Sequence, residues 1–272
     1  MKQPLAQHPE QRLKAVIWDL DGTLAETERE GHFAAFNLAF EALGLPWRWD
    51  LTHYTDLLRI AGGRERLLHD LARRPEAPVA LHERLDLADR IHSAKNRLYA
   101  RRVAEGQLQL RPGVLPLLRQ CRAEGLRLAI ATTTSRVNLQ TFIAAQLGPQ
   151  GSGWFETAVC GDDVRSKKPD PEVYLRVLQA LRLSPLECVA IEDSPGGAAA
   201  ARAADLPVVV TRSEFFPTDT IDAAIAIGPG LDRREGWTPP APPEDPAVES
   251  PGITLDDLRH WHAQMSLVSQ FG

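Results

Sequence analysis

Residues 15–24 read AVIWDLDGTL, an apolar run that leads into two carboxylates. Residues 15–18 are apolar and include β-branched side chains, which is typical of a strand buried on both faces of a parallel sheet. Asp19 and Asp21 follow, and residues two apart on an extended segment point to the same side. A strand with an Asp-Gly turn explains Asp21 and Gly22, but not a second carboxylate at Asp19. Since open α/β sheets bind ligands at the carboxyl ends of their strands, the pair indicates a cation site.

The composition indicates a globular protein that acts on a small molecule. The chain has 272 residues, 43% of them hydrophobic, and a formal net charge of -5 with scattered lysines and arginines, so we expect no nucleic-acid partner. The first fourteen residues resemble neither a secretory signal nor a membrane anchor, and we expect a cytoplasmic protein with no membrane partner. The cysteines lie in apolar patterns rather than at metal or disulfide spacing, which favours buried free thiols: Cys121, Cys160 and Cys188.

Two regions differ in their apolar periodicity. Residues 26–105 show helical spacing, with a helix predicted around Phe33–Leu43 and others over 51–58, 64–71 and about 82–103. After Pro112, short apolar runs alternate with helical patterns, which indicates a parallel sheet with crossover helices. Strands are predicted at 126–131, 158–160, 189–191, 207–211 and 224–227. The fold class is therefore α/β, a Rossmann-like doubly wound parallel sheet core with an inserted α-helical cap domain.

The domain boundaries follow from these patterns. Residues 1–25 and 106–230 form the predicted core, and residues 26–105 form the helical insertion, which we call the cap. Residues 231–252 are rich in proline and charge, which predicts an extended or disordered linker. Thr254 can cap a last helix within 253–272.

Three later strand ends carry polar side chains suited to a phosphate site. Thr132 and Thr133 can donate hydrogen bonds to phosphate oxygens, Lys168 precedes Pro169 in a rigid loop, and Asp193 ends a strand. Each has an ordinary alternative, respectively a polar loop, a solvated lysine and a helix N-cap. Their order and spacing after Asp19 favour the phosphate site.

With these four motifs, the chain resembles the haloacid dehalogenase superfamily of phosphotransferases, in the subgroup with a helical cap inserted after the first motif. The resemblance implies that Asp19 is the nucleophile that forms an aspartyl-phosphate and that Asp21 is the general acid and base. It also implies that Thr132 and Lys168 hold the phosphoryl group. Asp193 would complete a Mg²⁺ site with the Asp19 carboxylate and the Asp21 main-chain carbonyl.

Elementary chemistry supports those roles. A carboxylate that attacks a phosphate dianion meets charge repulsion, which Mg²⁺ and Lys168 would offset. No histidine or cysteine cluster accompanies the carboxylates, which disfavours zinc. A covalent intermediate replaces one difficult displacement by two easier ones.

A closer resemblance is to the CbbY-like group of this superfamily. It rests on residues 21–28, 31–32, 35–37, 62–66 (GGRER), 132–135 and 167–171. Arg64 stands where lysine is usual, and Phe33 where arginine is expected. The group is known for phosphatases of xylulose 1,5-bisphosphate, an inhibitory by-product of rubisco, so the resemblance implies that substrate class and a functional link to rubisco metabolism.

A bisphosphate requires a second anion site on the cap. We expect Arg64, Arg66 and Lys95 to supply it, the alternative being a solvated helix face. Sugar hydroxyls and further phosphate contacts are assigned to Glu26, His32, Glu65, Thr133 and Thr134. We also expect the cap to close over the substrate and exclude water.

Three other functions remain open from the sequence. A β-phosphoglucomutase-like phosphotransferase shares the motifs and the cap type and differs only in cap contacts. A phosphoglycolate phosphatase is disfavoured by the two cap arginines. A non-catalytic sugar-phosphate sensor is disfavoured because Asp19 and Asp21 are both intact.

Overall fold

The computed structural model describes residues 12–222, 224–243 and 252–268. The parts of the predicted core, linker and last helix that fall on 1–11, 223, 244–251 and 269–272 lie outside the described residues. None of the helices in the described ranges is long and apolar enough to cross a membrane.

A six-stranded parallel sheet forms the centre of the molecule. The strands are β1 Ala15–Trp18, β2 Arg127–Ala131, β3 Thr157–Val159, β4 Cys188–Glu192, β5 Val208–Thr211 and β6 Ala226–Gly228. Their spatial order is β3-β2-β1-β4-β5-β6, and every neighbouring pair is parallel. β1 therefore lies in the middle, between β2 and β4. All six strands lie where the sequence predicts them, with bounds that differ by at most two residues.

The described residues contain nine α-helices. They are α1 Ala34–Ala42, α2 Leu51–Leu57, α3 Gly63–Leu71, α4 Leu81–Ala104, α5 Val114–Ala123, α6 Arg136–Leu147, α7 Glu172–Leu181, α8 Pro195–Ala203 and α9 Leu255–Val268. A π-helical turn, Glu28–Phe33, leads directly into α1. The doubly wound α/β class is thus confirmed.

The two faces of the sheet pack against different helices. Val16 and Trp18 of β1 face a cluster with α5, α6 and α9, whereas Ala15 and Ile17 face a second cluster with α7 and α8. This alternation is expected of a strand whose successive side chains point to opposite faces. The burial of both faces explains why the strands are continuous apolar runs.

The cap has an apolar cluster of its own. Phe36, Phe40, Trp49 and Tyr54 are buried there, with residues from α1 to α4 around them. Phe215, from the segment after β5, also belongs to this cluster, so a core residue contributes to the apolar packing of the cap.

The described part of the predicted linker is packed and not extended. Leu231 and Trp237 are buried, and the Trp237 ring stacks on Trp261 of α9 with ring centroids 4.9 Å apart. Arg234 donates to both carboxylate oxygens of Asp257, at 2.6 and 2.7 Å. The prediction of a linker is therefore wrong for residues 231–243, because the apolar side chains between the prolines are buried against the core.

Candidate active site

The end of β1 places the first carboxylate at the middle of the sheet edge. The amide of Asp19 donates to the carbonyl of Ile191 at 3.0 Å, so Asp19 continues the pairing of β1 with β4. Asp19 is 6% exposed. Gly22 then adopts a φ of +85°, and a Cβ there would lie 2.1 Å from Oδ2 of Asp193. The turn after β1 therefore has room for Asp193 only because residue 22 is glycine.

Lys168 is held between two buried carboxylates. Its Nζ donates to Oδ1 of Asp19 at 2.6 Å, to Oε1 of Glu192 at 2.6 Å and to the carbonyl of Ala131 at 2.8 Å. Burial alone would lower the pKa of Lys168, but Asp19 and Glu192 outweigh that effect and raise it. Lys168 is therefore a cation with three fixed acceptors, one of which is Asp19 itself.

Three buried carboxylates lie close together at this edge of the sheet. Asp19, Glu192 and Asp193 each offer an oxygen, and these oxygens lie within 4.8 Å of one another. Burial, followed by the charges of Glu192 and Asp21, raises the pKa of Asp19 to about 8 although Lys168 opposes it. Burial and the charges of Asp19 and Glu192 likewise raise the pKa of Asp193. Such an excess of buried negative charge fits a cation, and the all-oxygen donor set suits Mg²⁺.

The Asp21 side chain has different neighbours from the other carboxylates. Its Oδ1 accepts from the Thr27 hydroxyl at 2.5 Å and lies 3.0 Å from Nε2 of His32. Nδ1 of His32 lies 2.7 Å from Nζ of Lys95, so the lysine, the imidazole and the carboxylate form a chain. Burial would raise the pKa of Asp21, but His32, Thr27 and Lys95 hold it at about 2. Burial lowers the pKa of Lys95 to about 7.

The segment after β2 provides the polar wall on the core side. Thr133 and Thr134 line the cavity, and the N-terminus of α6 follows at once, which favours an anion. The Thr132 side chain is buried, and its hydroxyl accepts from the amide of Thr134 at 3.2 Å. The Thr132 hydroxyl therefore stabilises the loop conformation, while Thr133 and Thr134 form the cavity wall.

A cavity of about 270 Å³ separates these core residues from the cap. Its cap wall includes Glu28, His32, Arg66, His92 and Lys95. Arg66 is buried, donates from Nε to the carbonyl of Ile60 at 2.8 Å, and has NH1 3.7 Å from Oε2 of Glu28. The cavity thus has Lys168 on its core side and further cationic side chains, among them Arg66 and Lys95, on its cap side.

Three charged residues predicted to bind substrate are absent from the cavity wall, as is Thr132. Arg64 donates to Asp89 from Nε at 2.5 Å, Glu65 accepts from Lys167 at 2.7 Å, and Glu26 lies 3.3 Å from Arg111. The structure therefore gives no support to substrate contacts by Arg64, Glu65 and Glu26. Their charges are already paired within the protein.

Several site residues were missed by the sequence prediction. Glu28, His92 and Asn138 line the cavity, Glu192 binds Lys168, and the Ser213 hydroxyl donates to Oδ2 of Asp193 at 2.5 Å. For Glu192 the signal was available, because a buried lysine needs compensating carboxylates and Glu192 directly precedes Asp193. The other missed residues reach the site through contacts between distant parts of the chain, and no local sequence pattern predicts such contacts.

Comparison with known proteins gives a consistent result. Residues 13–205 match the family described as haloacid dehalogenase-like hydrolase. The plasmid-encoded CbbY of Cupriavidus necator is 42% identical over 251 residues, 92% of this chain and 97% of that protein. CbbY of Rhodobacter capsulatus is 48% identical over 212 residues, 78% of this chain and 91% of that protein.

Solved structures agree with the sequence relatives. CbbY from Rhodobacter sphaeroides in complex with phosphate has a TM-score of 0.73 at 36% identity, covering 78% of this chain and 92% of that chain. A mutant of that protein in complex with xylulose-(1,5)bisphosphate has a TM-score of 0.74 at 36% identity, covering 80% and 94%.

The fold, the carboxylate and lysine site and these matches assign the class: the chain belongs to the haloacid dehalogenase-like hydrolases. Within that class it is of the CbbY type, a sugar-phosphate phosphatase and thus a phosphoric monoester hydrolase.

Proposed function

We propose that the protein is a Mg²⁺-dependent phosphatase that acts through an aspartyl-phosphate on Asp19. The observation that carries the proposal is the placement of the Asp19 carboxylate, 2.6 Å from Nζ of Lys168, within the cavity and beside Asp193. A carboxylate nucleophile needs nearby cations because the phosphate it attacks is an anion.

The covalent steps follow from the side chains in place. The Asp19 carboxylate attacks phosphorus, the bond from phosphorus to the sugar oxygen breaks, and Asp21 gives its proton to that oxygen. Water then attacks the aspartyl-phosphate while Asp21 takes its proton, which releases phosphate and restores Asp19. Asp21 is ionised in the geometry described, which suits the second half. A bound phosphate dianion adds negative charge and favours the protonated Asp21 that the first half needs.

The metal-binding residues of this proposal are Asp19, Asp193 and, through its main-chain carbonyl, Asp21. When bound, Mg²⁺ would offset the negative charge of carboxylate and phosphate. Lys168 supplies a fixed positive charge beside the reacting oxygen, and the carbonyl of Ala131 and Glu192 keep it there.

We propose xylulose 1,5-bisphosphate as the substrate. The CbbY structure solved with that compound has the same fold at 36% identity. Cationic side chains from both domains line the cavity, among them Lys168 on the core and Arg66 and Lys95 on the cap, which is what a ligand with two phosphates requires. We also propose residues 26–105 as the substrate-selecting cap, which closes over the ligand.

The test is phosphate release with and without Mg²⁺ from xylulose 1,5-bisphosphate, ribulose 1,5-bisphosphate, β-glucose 1-phosphate and phosphoglycolate. We expect fast, Mg²⁺-dependent hydrolysis of the xylulose compound, loss of turnover by at least about 10³-fold in Asp19→Asn, and wild-type rates in the exposed control Asp56→Asn. Isomerisation of glucose 1-phosphate without hydrolysis would indicate a mutase. Binding without any turnover would indicate a sensor.

A further inference from the structure

The four residues that follow Arg212, just after β5, connect Asp193, the proposed metal ligand, to the cap. We call residues 213–216, which read SEFF, the strap. At one end, the Ser213 hydroxyl donates to Oδ2 of Asp193 at 2.5 Å, and both side chains are buried. At the other end, Phe215 is 8% exposed and packs inside the apolar cluster of the cap. Four consecutive residues therefore contact both domains.

The metal end of the strap has little freedom. Oδ2 of Asp193 accepts from Ser213, and it lies so near Gly22 that a Cβ there would be 2.1 Å away. Arg111 ties the adjacent backbone together, since it donates to the carbonyls of Thr211 at 3.1 Å and Arg212 at 2.6 Å. A displacement of the strap would therefore move the hydrogen-bond donor of Asp193.

The cap end of the strap is held by an aromatic contact and a charge pair. The Phe215 ring meets Tyr54 edge-on with centroids 6.1 Å apart, and the Arg29 guanidinium lies 5.9 Å from the Phe215 centroid. Arg29 also donates from Nε to Glu214 at 2.5 Å. Such contacts fix the strap only while the cap is docked on the core.

Tyr54 extends the connection to the substrate cavity. Its hydroxyl donates to Glu28, and NH1 of Arg66 lies 3.5 Å from the same hydroxyl. Glu28 and Arg66 both line the cavity, as does Phe216 of the strap. A ligand at the cap wall and a cation at Asp193 therefore contact opposite ends of one packed set of side chains.

We propose that Ser213 and Phe215 are positioning residues, through which docking of the cap strengthens cation binding at Asp193. Hydrogen bonds to metal-ligating carboxylates orient the ligand, and their loss weakens metal binding by about 10- to 100-fold. By linkage, a cap contact that strengthens Mg²⁺ binding is itself strengthened by Mg²⁺ to the same degree. The inference rests on the proposed Mg²⁺ site.

The experiment measures the Mg²⁺ dissociation constant by isothermal titration calorimetry in the full chain, without substrate. We expect Ser213→Ala to weaken Mg²⁺ binding about tenfold or more and Phe215→Leu to weaken it about threefold or more. The double variant should bind no more weakly than Ser213→Ala, because both changes act through one hydrogen bond. Phe40→Leu is the matched control: Phe40 lies in the same cap cluster with its ring against Trp47 and Trp49, and Mg²⁺ affinity should stay as in the wild type.

Each outcome has a distinct meaning. Wild-type Mg²⁺ affinity in Phe215→Leu would overturn the inference, and so would additive losses in the double variant or an equal loss in Phe40→Leu. A wild-type chain that binds no Mg²⁺ would overturn the proposed metal site instead. Far-ultraviolet circular dichroism and thermal melting of each variant separate a loss of fold from a loss of cation binding.

Discussion

Glu192 is a buried carboxylate that binds Lys168 and packs against the first turn of α8. Its Oε1 accepts from Lys168 and from the Tyr174 hydroxyl, and a Cβ at Gly197 would lie 1.9 Å from Oε2. The first turn of α8 can therefore pack on this carboxylate only with glycine at position 197. Removal of one partner from a buried charge pair leaves the other uncompensated, which costs about 3–5 kcal/mol. Lys168 thus depends on Glu192 as well as on Asp19.

His92 on α4 makes the stability of the protein dependent on pH. Burial lowers its pKa from 6.5 to about 4, with help from nearby cations, and the charged groups around it are Lys95, Lys167, Glu65 and Asp162. The unfolded chain therefore takes up a proton near pH 6.5 while the folded chain does not. The contribution of His92 to stability is complete above pH 6.5 and is lost as the pH falls towards 4.

We expect the free energy of unfolding of the wild type to fall by about 2 kcal/mol more than that of His92→Gln between pH 7 and pH 4.5. Urea unfolding at the two pH values measures the difference. His82→Gln changes an exposed histidine on the same helix and should follow the wild type. Equal losses in wild type and His92→Gln would contradict the assignment.

The structure brings together those predicted site residues that follow a strand. Asp19, Lys168 and Asp193 meet because the carboxyl ends of parallel strands, and the loops that follow them, share one edge of the sheet. Arg64 and Arg66 show the limit of such reasoning. Residues two apart on a helix face different directions, and only the packing of α3 decides which arginine reaches the cavity. Ser213 was missed because its partner lies twenty residues away along the chain.

Helices and strands were predicted because their apolar periodicity is local. The predicted helices over 51–58, 64–71 and 82–103 correspond to α2, α3 and α4. The order of the strands and the packing of residues 231–243 could not be derived, because both depend on contacts between distant segments. Trp237 stands between prolines, which obscures any periodicity, yet it is 4% exposed.

Docking of α9 is expected to contribute to the stability of the whole core. Trp261 is 1% exposed and stacks on Trp237, so Trp261→Ala should lower the free energy of unfolding by about 3–5 kcal/mol. Urea unfolding of the full chain measures this loss. Gln264→Ala alters an exposed side chain on the same helix and should stay within about 0.5 kcal/mol of the wild type. A loss below about 1 kcal/mol in Trp261→Ala would show that α9 is not part of the core.

At the scale of the whole molecule, the cap and the core each contribute one wall of the cavity. Lys168 belongs to the core, whereas Arg66 and Lys95 belong to the cap, so neither domain alone presents both groups of proposed phosphate-binding side chains. The proposed selectivity for a bisphosphate would therefore depend on how the two domains are held together.

Arg64 and Arg66, both on α3, test whether the cap supplies the contact to the second phosphate. Arg66→Ala should lower kcat/KM for xylulose 1,5-bisphosphate by about 10- to 100-fold more than for a sugar monophosphate, since it removes a charged partner of the second phosphate. Arg64→Ala breaks only the pair with Asp89 and should change either value by less than about threefold. Steady-state kinetics with both substrates measures the effects. Equal losses on the two substrates in Arg66→Ala would argue that Arg66 supports the cap fold instead.

The contact between Thr238 and β6 bears on how the protein behaves at high concentration. β6 is an edge strand, and the outward amide and carbonyl of Ile227 bond to the backbone of Thr238 at 2.9 and 2.8 Å. An open edge would offer these groups to a strand of another molecule, a common route to aggregation. The segment that carries Trp237 thus also protects the sheet from intermolecular pairing.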